Sequence, residues 1–258
     1  MDFFDEIEQV LQTYEPISLE QMGASVRLMS RIDNKYVIPA KFLKELLLQI
    51  KDQYYAFEIG GKRAHEYKTL YYDTDDLLLY KKHHQGKLNR YKIRERTYVD
   101  SELSYFEIKF KNNKNDTIKN RIKITQINDK IEGDTKDFLH TISGLDGELF
   151  KPKLWVLYHR ITLVSKAMNE RATIDLGLTF DNLNNRIDYS DLVVIEAKRD
   201  KSLKTTPMLL ALKENKLREG GFSKYCFGQA STDPNLKHNQ FKKKFHQISQ
   251  LRKRYGIE

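Results

Sequence analysis

Three stretches of this sequence gather their Lys and Arg on alternate positions. Between residues 88 and 99 one parity carries Arg90, Lys92, Arg94 and Arg96, and the other carries Tyr91, Ile93, Thr97 and Val99 with Glu95 among them. Residues 103–111 split into Tyr105, Glu107, Lys109 and Lys111 against Phe106, Ile108 and Phe110. Residues 117–124 split into Lys119, Arg121 and Lys123 against Ile118, Ile122 and Ile124. A period of two belongs to a β-strand, so each basic set occupies one strand face. The ordinary account is the wet side of an antiparallel sheet. Sign argues against it: like charges two apart on a face lie ~7 Å from one another and repel by roughly 2 kcal/mol at an effective dielectric near 20, before screening. An outer face would intersperse acids, whereas the first and third rows contain none. Such rows call for an anion, and phosphoryl oxygens accept charge-assisted hydrogen bonds from Arg and Lys.

The elements that must position these rows follow from the rest of the pattern. Residues 1–22 read as a helix and connector, and Arg31 to Ile38 as a strand that Pro39 ends. Phe42, Leu43, Leu46, Leu47 and Ile50 recur at helical spacing. Glu66 to Tyr72 is a strand, with a short helix about 75–84 for which Asp73 and Thr74 are caps. The three basic stretches form a meander of hairpins. Residues 134–142 read as helix, and 153–164, 170–175, 177–181 and 191–199 as strands, the middle pair joined at Gly177 with Asp175 as a turn residue. The remainder reads as helix about 207–218, a turn at Gly220-Gly221, a short element at 223–225 and a basic amphipathic end over 235–255. The apolar parities need cover, which the amphipathic helices supply from outside, so the charges point inward. About eight strands curling toward closure make a passage too narrow for duplex nucleic acid but wide enough for a phosphate chain.

Composition agrees and excludes other classes. The 258 residues carry 45 Lys and Arg against 36 Asp and Glu, a formal charge of +9, which suits a polyanionic partner. One cysteine, Cys226, rules out an intrachain disulfide and reads as buried rather than reactive. The acidic start has no signal-peptide pattern, and no apolar run approaches the ~18 residues of a membrane span, so a cytoplasmic protein is expected. The seven histidines have no zinc spacing, His83-His84 reads as solvent facing, and no Walker or dinucleotide-binding glycine motif is present. Tyr36, Tyr72 and Tyr225 read as packing aromatics.

The ordered motifs resemble the VTC-type polyphosphate polymerase domain of the triphosphate tunnel (CYTH-like) superfamily, from about Arg31 to Gly228. The residues that carry the resemblance are Lys35-Tyr36-Val37-Ile38-Pro39, Tyr72-Asp73-Thr74, Arg94-Glu95-Arg96-Thr97-Tyr98 and Glu107-Ile108-Lys109. Further along they are Lys119 to Lys123, Tyr158-His159-Arg160, Arg171 to Asp175, Glu196-Ala197-Lys198 and Ser223-Lys224-Tyr225. The resemblance implies an α+β fold, an antiparallel eight-stranded β tunnel with helices packed outside. It implies one domain over 1–258, with an N-terminal helix and connector (1–25), a tunnel core (26–230) and a basic C-terminal helix (235–258).

The implied activity is metal-dependent transfer of the ATP γ-phosphate to a growing inorganic polyphosphate chain, releasing ADP. Lys35, Arg94, Arg96, Lys109, Arg160 and Lys224 would act on the reacting phosphates, while Lys119, Arg121, Lys123, Tyr158, Arg171, Lys198 and Ser223 would hold the chain. Glu196 would be the ligand of a divalent ion, Mn2+ or Mg2+, with Glu107 as a second candidate. The structural alternatives are pairing of Glu196 with Lys198 or a neighbouring arginine, and an ion pair of Glu107 with Lys109 or an arginine. Hydrolytic relatives place a second glutamate on the opening strand, where this chain has Asp33-Asn34-Lys35, which argues mildly against a triphosphatase. A tripolyphosphatase or nucleoside triphosphatase remains the enzymatic alternative, and a non-catalytic binder of polyphosphate, RNA or anionic lipid the other. ATP and polyphosphate are the expected partners. An integral-membrane partner, or an anionic membrane surface met by Lys242-Lys243-Lys244 and Arg252-Lys253-Arg254, is a further expectation; sequence-specific nucleic acid is not expected.

Overall fold

A computed structural model describes residues 2–25, 31–114 and 116–257; the start expected for the tunnel core, at residue 26, lies outside them. The strands are β1 (Glu15–Ile17), β2 (Arg31–Pro39), β3 (Tyr54–Phe57), β4 (Ala64–Asp73), β5 (Arg90–Tyr98), β6 (Leu103–Lys111), β7 (Thr117–Ile124), β8 (Lys151–Ser165), β9 (Glu170–Asp181), β10 (Arg186–Tyr189) and β11 (Leu192–Asp200). The helices are α1 (Phe3–Leu11), α2 (Leu19–Ser25), α3 (Leu43–Ile50), α4 (Leu78–His84), α5 (Asp134–Ser143), α6 (Pro207–Glu214), α7 (Lys224–Thr232) and α8 (Lys242–Tyr255). Among the described residues no helix is long and apolar enough to cross a membrane.

Eight strands form a continuous antiparallel path, β2-β11-β9-β8-β4-β5-β6-β7. Three short strands join it from the side: β3 continues the lane of β4 along β8, β1 pairs with β3, and β10 pairs with β9. The sheet therefore has eleven strands rather than about eight. The additional ones are three or four residues long, too short for period-two alternation to stand out. Among the described residues the two ends of the path, β2 and β7, are not hydrogen-bonded to each other.

Helices cover the outward parity. Leu43, Leu46, Leu47 and Ile50 of α3 join Ile7 and Leu11 of α1 and Met208 and Leu212 of α6 over Ile38, Ile161, Ile174 and Ile195. Leu139 of α5 closes a second cluster over Ile93, Phe106 and Ile108. Burial of such side chains is worth roughly 1.5–3 kcal/mol each, which fixes which parity of each strand faces out. The α7 helix packs differently. It lies against Leu154, Val156 and Phe180, which share the inward parity, so closely that a Cβ at Gly228 would meet Phe180 at 2.5 Å and Leu154 at 2.7 Å. The α7 helix thus crosses one end of the interior, and the aromatic rings of Phe227 and Phe245 stack to hold α8 behind it.

Several expectations need correction. The stretches 170–175 and 177–181 are one strand, β9, in which Tyr158 of β8 faces both Gly177 and Leu178 where the register shifts. Gly177 has φ +63° and would bring a Cβ to 2.7 Å from the Phe4 ring, so a glycine is needed at this bulge. The element at 223–225 extends to a nine-residue helix because Ser223 caps it, its side chain accepting from Cys226 N. The basic C-terminal helix starts at Lys242, not 235, and α6 ends at Glu214, not 218. The His83-His84 pair is not solvent facing: His84 is buried, and both rings lie against Phe241.

Candidate functional site

Alternation along β5, β6 and β7 runs without a bulge, so the three basic rows fall on one inward face in cross-strand register. Lys92 stands opposite Lys109, and Lys109 opposite Lys119. In the next rung Arg94 stands opposite Glu107 and Glu107 opposite Arg121; beyond it Arg96, Tyr105 and Lys123 line up. On the far wall Arg160 pairs in register with Asp175, Lys35 with Glu196, and Arg171 with Lys198, which in turn faces Asp33. Lys224 and Ser223 enter the interior from the N-terminus of α7, where Lys224 reaches Asp175 and Ser223 Oγ accepts from Lys92 Nζ at 2.9 Å. By strand parity the residues expected to meet phosphate lie on the inward face, with Lys119, Arg121 and Lys123 on the exposed end strand β7, and Ser223 and Lys224 join them from the start of α7.

Inward carboxylates are few, and those with resolved partners are bound to cations. Glu107, fully buried, accepts from Arg94 Nε at 2.7 Å and Nη2 at 2.5 Å and pairs with Lys119. Burial pushes its carboxyl up, but Arg94, Arg96 and Lys119 outweigh that and hold it well below the usual range. Asp175 accepts from Arg160 at 2.6 and 2.8 Å as a fork and also binds Lys224; these cations overcome burial and bring its pKa to about 2. Glu196 lies 2.7 Å from Lys35 and 3.8 Å from Lys198. Burial raises its carboxyl, yet Lys198, Lys35 and Arg160 hold it far down.

Positive charge is left over. Lys109 makes no hydrogen bond or ion pair among the described residues, and Arg94, burial and Arg96 together push its ammonium well below its ordinary range. Burial brings Lys119 to about 8 despite Glu107. At Tyr71, which accepts from Arg94 at 3.0 Å, burial raises the phenol but Arg94, Arg96 and Lys92 pull it below its ordinary value. Three facing lysines destabilise a sheet unless an anion sits between them. Two inward hydroxyls add donors: Tyr158 Oη and Thr173 Oγ1 are buried without a hydrogen-bond partner among the described residues. The Tyr158 ring is flanked by Lys224 at 4.9 Å, Arg160 at 5.4 Å and Arg96 at 5.9 Å. Arg121 lies over the Tyr105 ring at 4.4 Å. Clustered cations and fixed hydroxyls suit a chain of linked phosphates and the charge that builds up on a phosphoryl group in transfer.

The other sequence readings fall as follows. Both Glu107 oxygens are engaged by cations, the ion-pair alternative for this residue. Among the described residues no group of three or more His, Cys, Asp or Glu gathers that could enclose a metal. A hard divalent ion at a phosphate site needs only one or two carboxylates, with phosphate oxygens and water completing its shell. Glu196, ionised and partly accessible, suits that donor set. Asp73 caps α4: its carboxylate accepts from the backbone of Thr74, Leu79 and Tyr80 and from Tyr225 Oη. Tyr36 and Tyr225 are buried packing residues, and Tyr72 donates to Glu95. Cys226 is buried.

Sequence reasoning missed Asp175, read as a turn residue, and gave Lys92 no role of its own. Lys92 was visible in the basic row, whereas Asp175 was hidden by the bulge. Across Gly177 the inward parity switches from odd (Thr173, Asp175) to even (Leu178, Phe180), so simple alternation misassigns the faces on one side of it.

The family profile of the VTC domain matches residues 30–232. Among curated proteins none matches the chain. Among solved structures, the chain resembles a Hippeastrum protein assigned as an adenylyl cyclase and found to have a dominant triphosphatase activity. The TM-score is 0.54 at 16% identity, over 81% of this chain and 100% of that one. It also resembles a Bacillus halodurans protein assigned as an adenylate cyclase, with TM-score 0.50 and 14% identity over 75% and 94%. At these identities the likeness concerns the fold, a β tunnel of the CYTH-like type.

Proposed function

The chain belongs to the VTC domain family, and we propose that it is a metal-dependent polyphosphate polymerase that extends inorganic polyphosphate from ATP. The observation that carries this reading is the facing row Lys92–Lys109–Lys119 beside the forked Arg94–Glu107 pair, in which cations outnumber the one carboxylate and Lys109 has no acceptor among the described residues, a track suited to linked phosphates. In the step, a terminal oxygen of the chain attacks the γ-phosphorus of ATP. A new P–O–P bond forms, the β,γ P–O bond breaks, and ADP leaves with the bonding pair. The nucleophile is already an anion and needs no general base. This agrees with a site whose carboxylates Glu107, Asp175 and Glu196 are each bound to cations. Arg94, Arg96, Lys109, Arg160 and Lys224 hold and orient the phosphoryl oxygens, and Tyr158 Oη supplies a donor. A divalent ion held by Glu196 would neutralise charge on the β- and γ-phosphates.

The test is incubation of purified protein with ATP and manganese or magnesium, with and without a polyphosphate primer. Chain growth with one ADP per added phosphate is expected, and Glu196→Ala should abolish metal-dependent turnover. Absence of both long chains and ADP would overturn synthesis; full activity of Glu196→Ala would remove that residue from the site.

A second reading is hydrolysis of tripolyphosphate or a nucleoside triphosphate. It draws on α7, which crosses one end of the interior and suits a short substrate better than a threaded polymer, and on the triphosphatase activity of the Hippeastrum protein. Orthophosphate released without chain growth would select it.

A further inference from the structure

The C-terminal helix and the chain after α6 enclose a groove of about 570 Å³ whose lining includes none of the residues expected to meet phosphate in the tunnel. Its floor is apolar, built from Val37, Leu217, Ile248 and Leu251. Its rim carries Lys213, Lys216 and Arg218 on one side and Lys244 and Arg254 of α8 on the other, with no acid among the lining residues. None of these five cations forms an ion pair among the described residues, although the neighbouring Arg252 is forked onto Asp191 at 2.6 and 2.8 Å. Lys244 is half-buried with no acceptor among the described residues, and a Cβ at Gly220 would come within 2.7 Å of its Nζ, so the glycine makes room for the ammonium. Burial holds that ammonium below its ordinary range.

We infer that this groove is a second ligand site, separate from the tunnel, for a nucleoside di- or triphosphate. A linear phosphate chain would satisfy the rim and leave the floor unused. A nucleotide uses both, laying its base on the aliphatic floor and its phosphates against the cations, and the volume is in the ~300–1,000 Å³ range of small-molecule sites. Gln247 and Gln250 on the same helix face offer polar groups to the base edge. The site goes beyond the tunnel chemistry and does not depend on it: the tunnel grips phosphates alone, whereas the groove discriminates in favour of the nucleoside.

The experiment separates the two sites with the full chain. ATP binding is measured by calorimetry in an Arg96→Ala variant, with Lys109→Gln as a second tunnel variant should the first unfold. One ATP or ADP per chain should still bind, at least roughly tenfold more tightly than inorganic tripolyphosphate. Adding Lys216→Glu and Arg254→Glu, both at exposed positions, should weaken that binding roughly tenfold or more. The same pair in an otherwise unaltered chain should leave tunnel turnover unchanged. No ATP binding in either tunnel variant overturns the site. Equal affinity for tripolyphosphate overturns the nucleotide in favour of a bare phosphate chain. Binding of phosphatidylserine vesicles in place of ATP, lost in the Lys216→Glu/Arg254→Glu pair, overturns it in favour of a lipid surface. A wild-type chain that neither synthesises nor hydrolyses would defeat the tunnel reading while leaving ATP binding to Arg96→Ala intact.

Discussion

Replacing Glu107 by glutamine removes the one buried carboxylate on the inward face of β5, β6 and β7 among the described residues while keeping its shape. In the native chain that carboxylate neutralises Arg94 at 2.7 and 2.5 Å and Lys119. Arg96 and Lys109 lie close enough to share its field. Removing one member of a buried ion pair costs about 3–5 kcal/mol, and a glutamine that can still accept from Arg94 places the loss near the lower figure. For a domain of this size each kcal/mol lowers the melting temperature by roughly 2–4 °C, so the ligand-free variant should melt about 6–12 °C below wild type. The same change leaves a vacancy for negative charge among four cations, so tripolyphosphate should bind more tightly. A tenfold gain corresponds to about 1.4 kcal/mol of added ligand stabilisation at saturating concentration. Differential scanning fluorimetry at low salt, with and without tripolyphosphate, reads both effects; low salt keeps screening small. A variant that melts with wild type, or that loses tripolyphosphate affinity, would refute the reasoning. The first result would mean the cations do not depend on Glu107. The second would mean Glu107 acts on the ligand through the cations it orients.

Lys119, at about 8, loses its charge as pH rises through that value. Tripolyphosphate affinity should therefore fall between pH 7 and 9, and Lys119→Arg, always protonated, should flatten the fall; identical calorimetric profiles would remove Lys119 from the binding face. Glu95 lies on the outward parity of β5, fully buried, held by Tyr72 Oη at 2.9 Å and Asn128 N at 2.7 Å. Burial lifts it from 4.5 to about 7, against the pull of those two donors. Between these values the folded state holds a proton that the unfolded state has lost, so this residue's contribution to stability falls as pH rises from 4.5 to 7 and is level above. The loss is at most about 3–4 kcal/mol at roughly 1.4 kcal/mol per unit. The stability difference between wild type and Glu95→Gln, from urea unfolding at pH 5 and pH 8, should change by an amount of that order; a constant difference would show that Glu95 is ionised throughout.

The basic wall was legible because β5, β6 and β7 alternate without interruption and are joined by short turns, so parity in sequence is parity in space. The opposite wall depends on contacts that a local pattern does not contain. Lys35 and Glu196 are 161 residues apart, and their pairing follows from β2 lying beside β11. Asp175 was obscured for a local reason, the extra residue at Gly177 that inverts the faces. The α7 helix was hard to see because Lys224–Thr232 has only a weak apolar face; its helicity draws on the Ser223 cap and on packing against Phe180 and Leu154. His83 and His84 looked exposed because their burial depends on Phe241, which returns from far along the chain.

The order of strands along the sheet also sets the order in which the molecule can assemble. The meander β5–β6–β7 pairs neighbours in sequence, so its lysine row can form as soon as residues 90–124 are free to fold. The strand β2, although earlier in the chain, finds its partner only in β11, and loop closure over such a separation is slow. The half of the interior that carries Glu196 therefore depends on closing the longer loop. The lysine row thus rests on local pairing, whereas the Lys35–Glu196 pair across from it rests on long-range pairing.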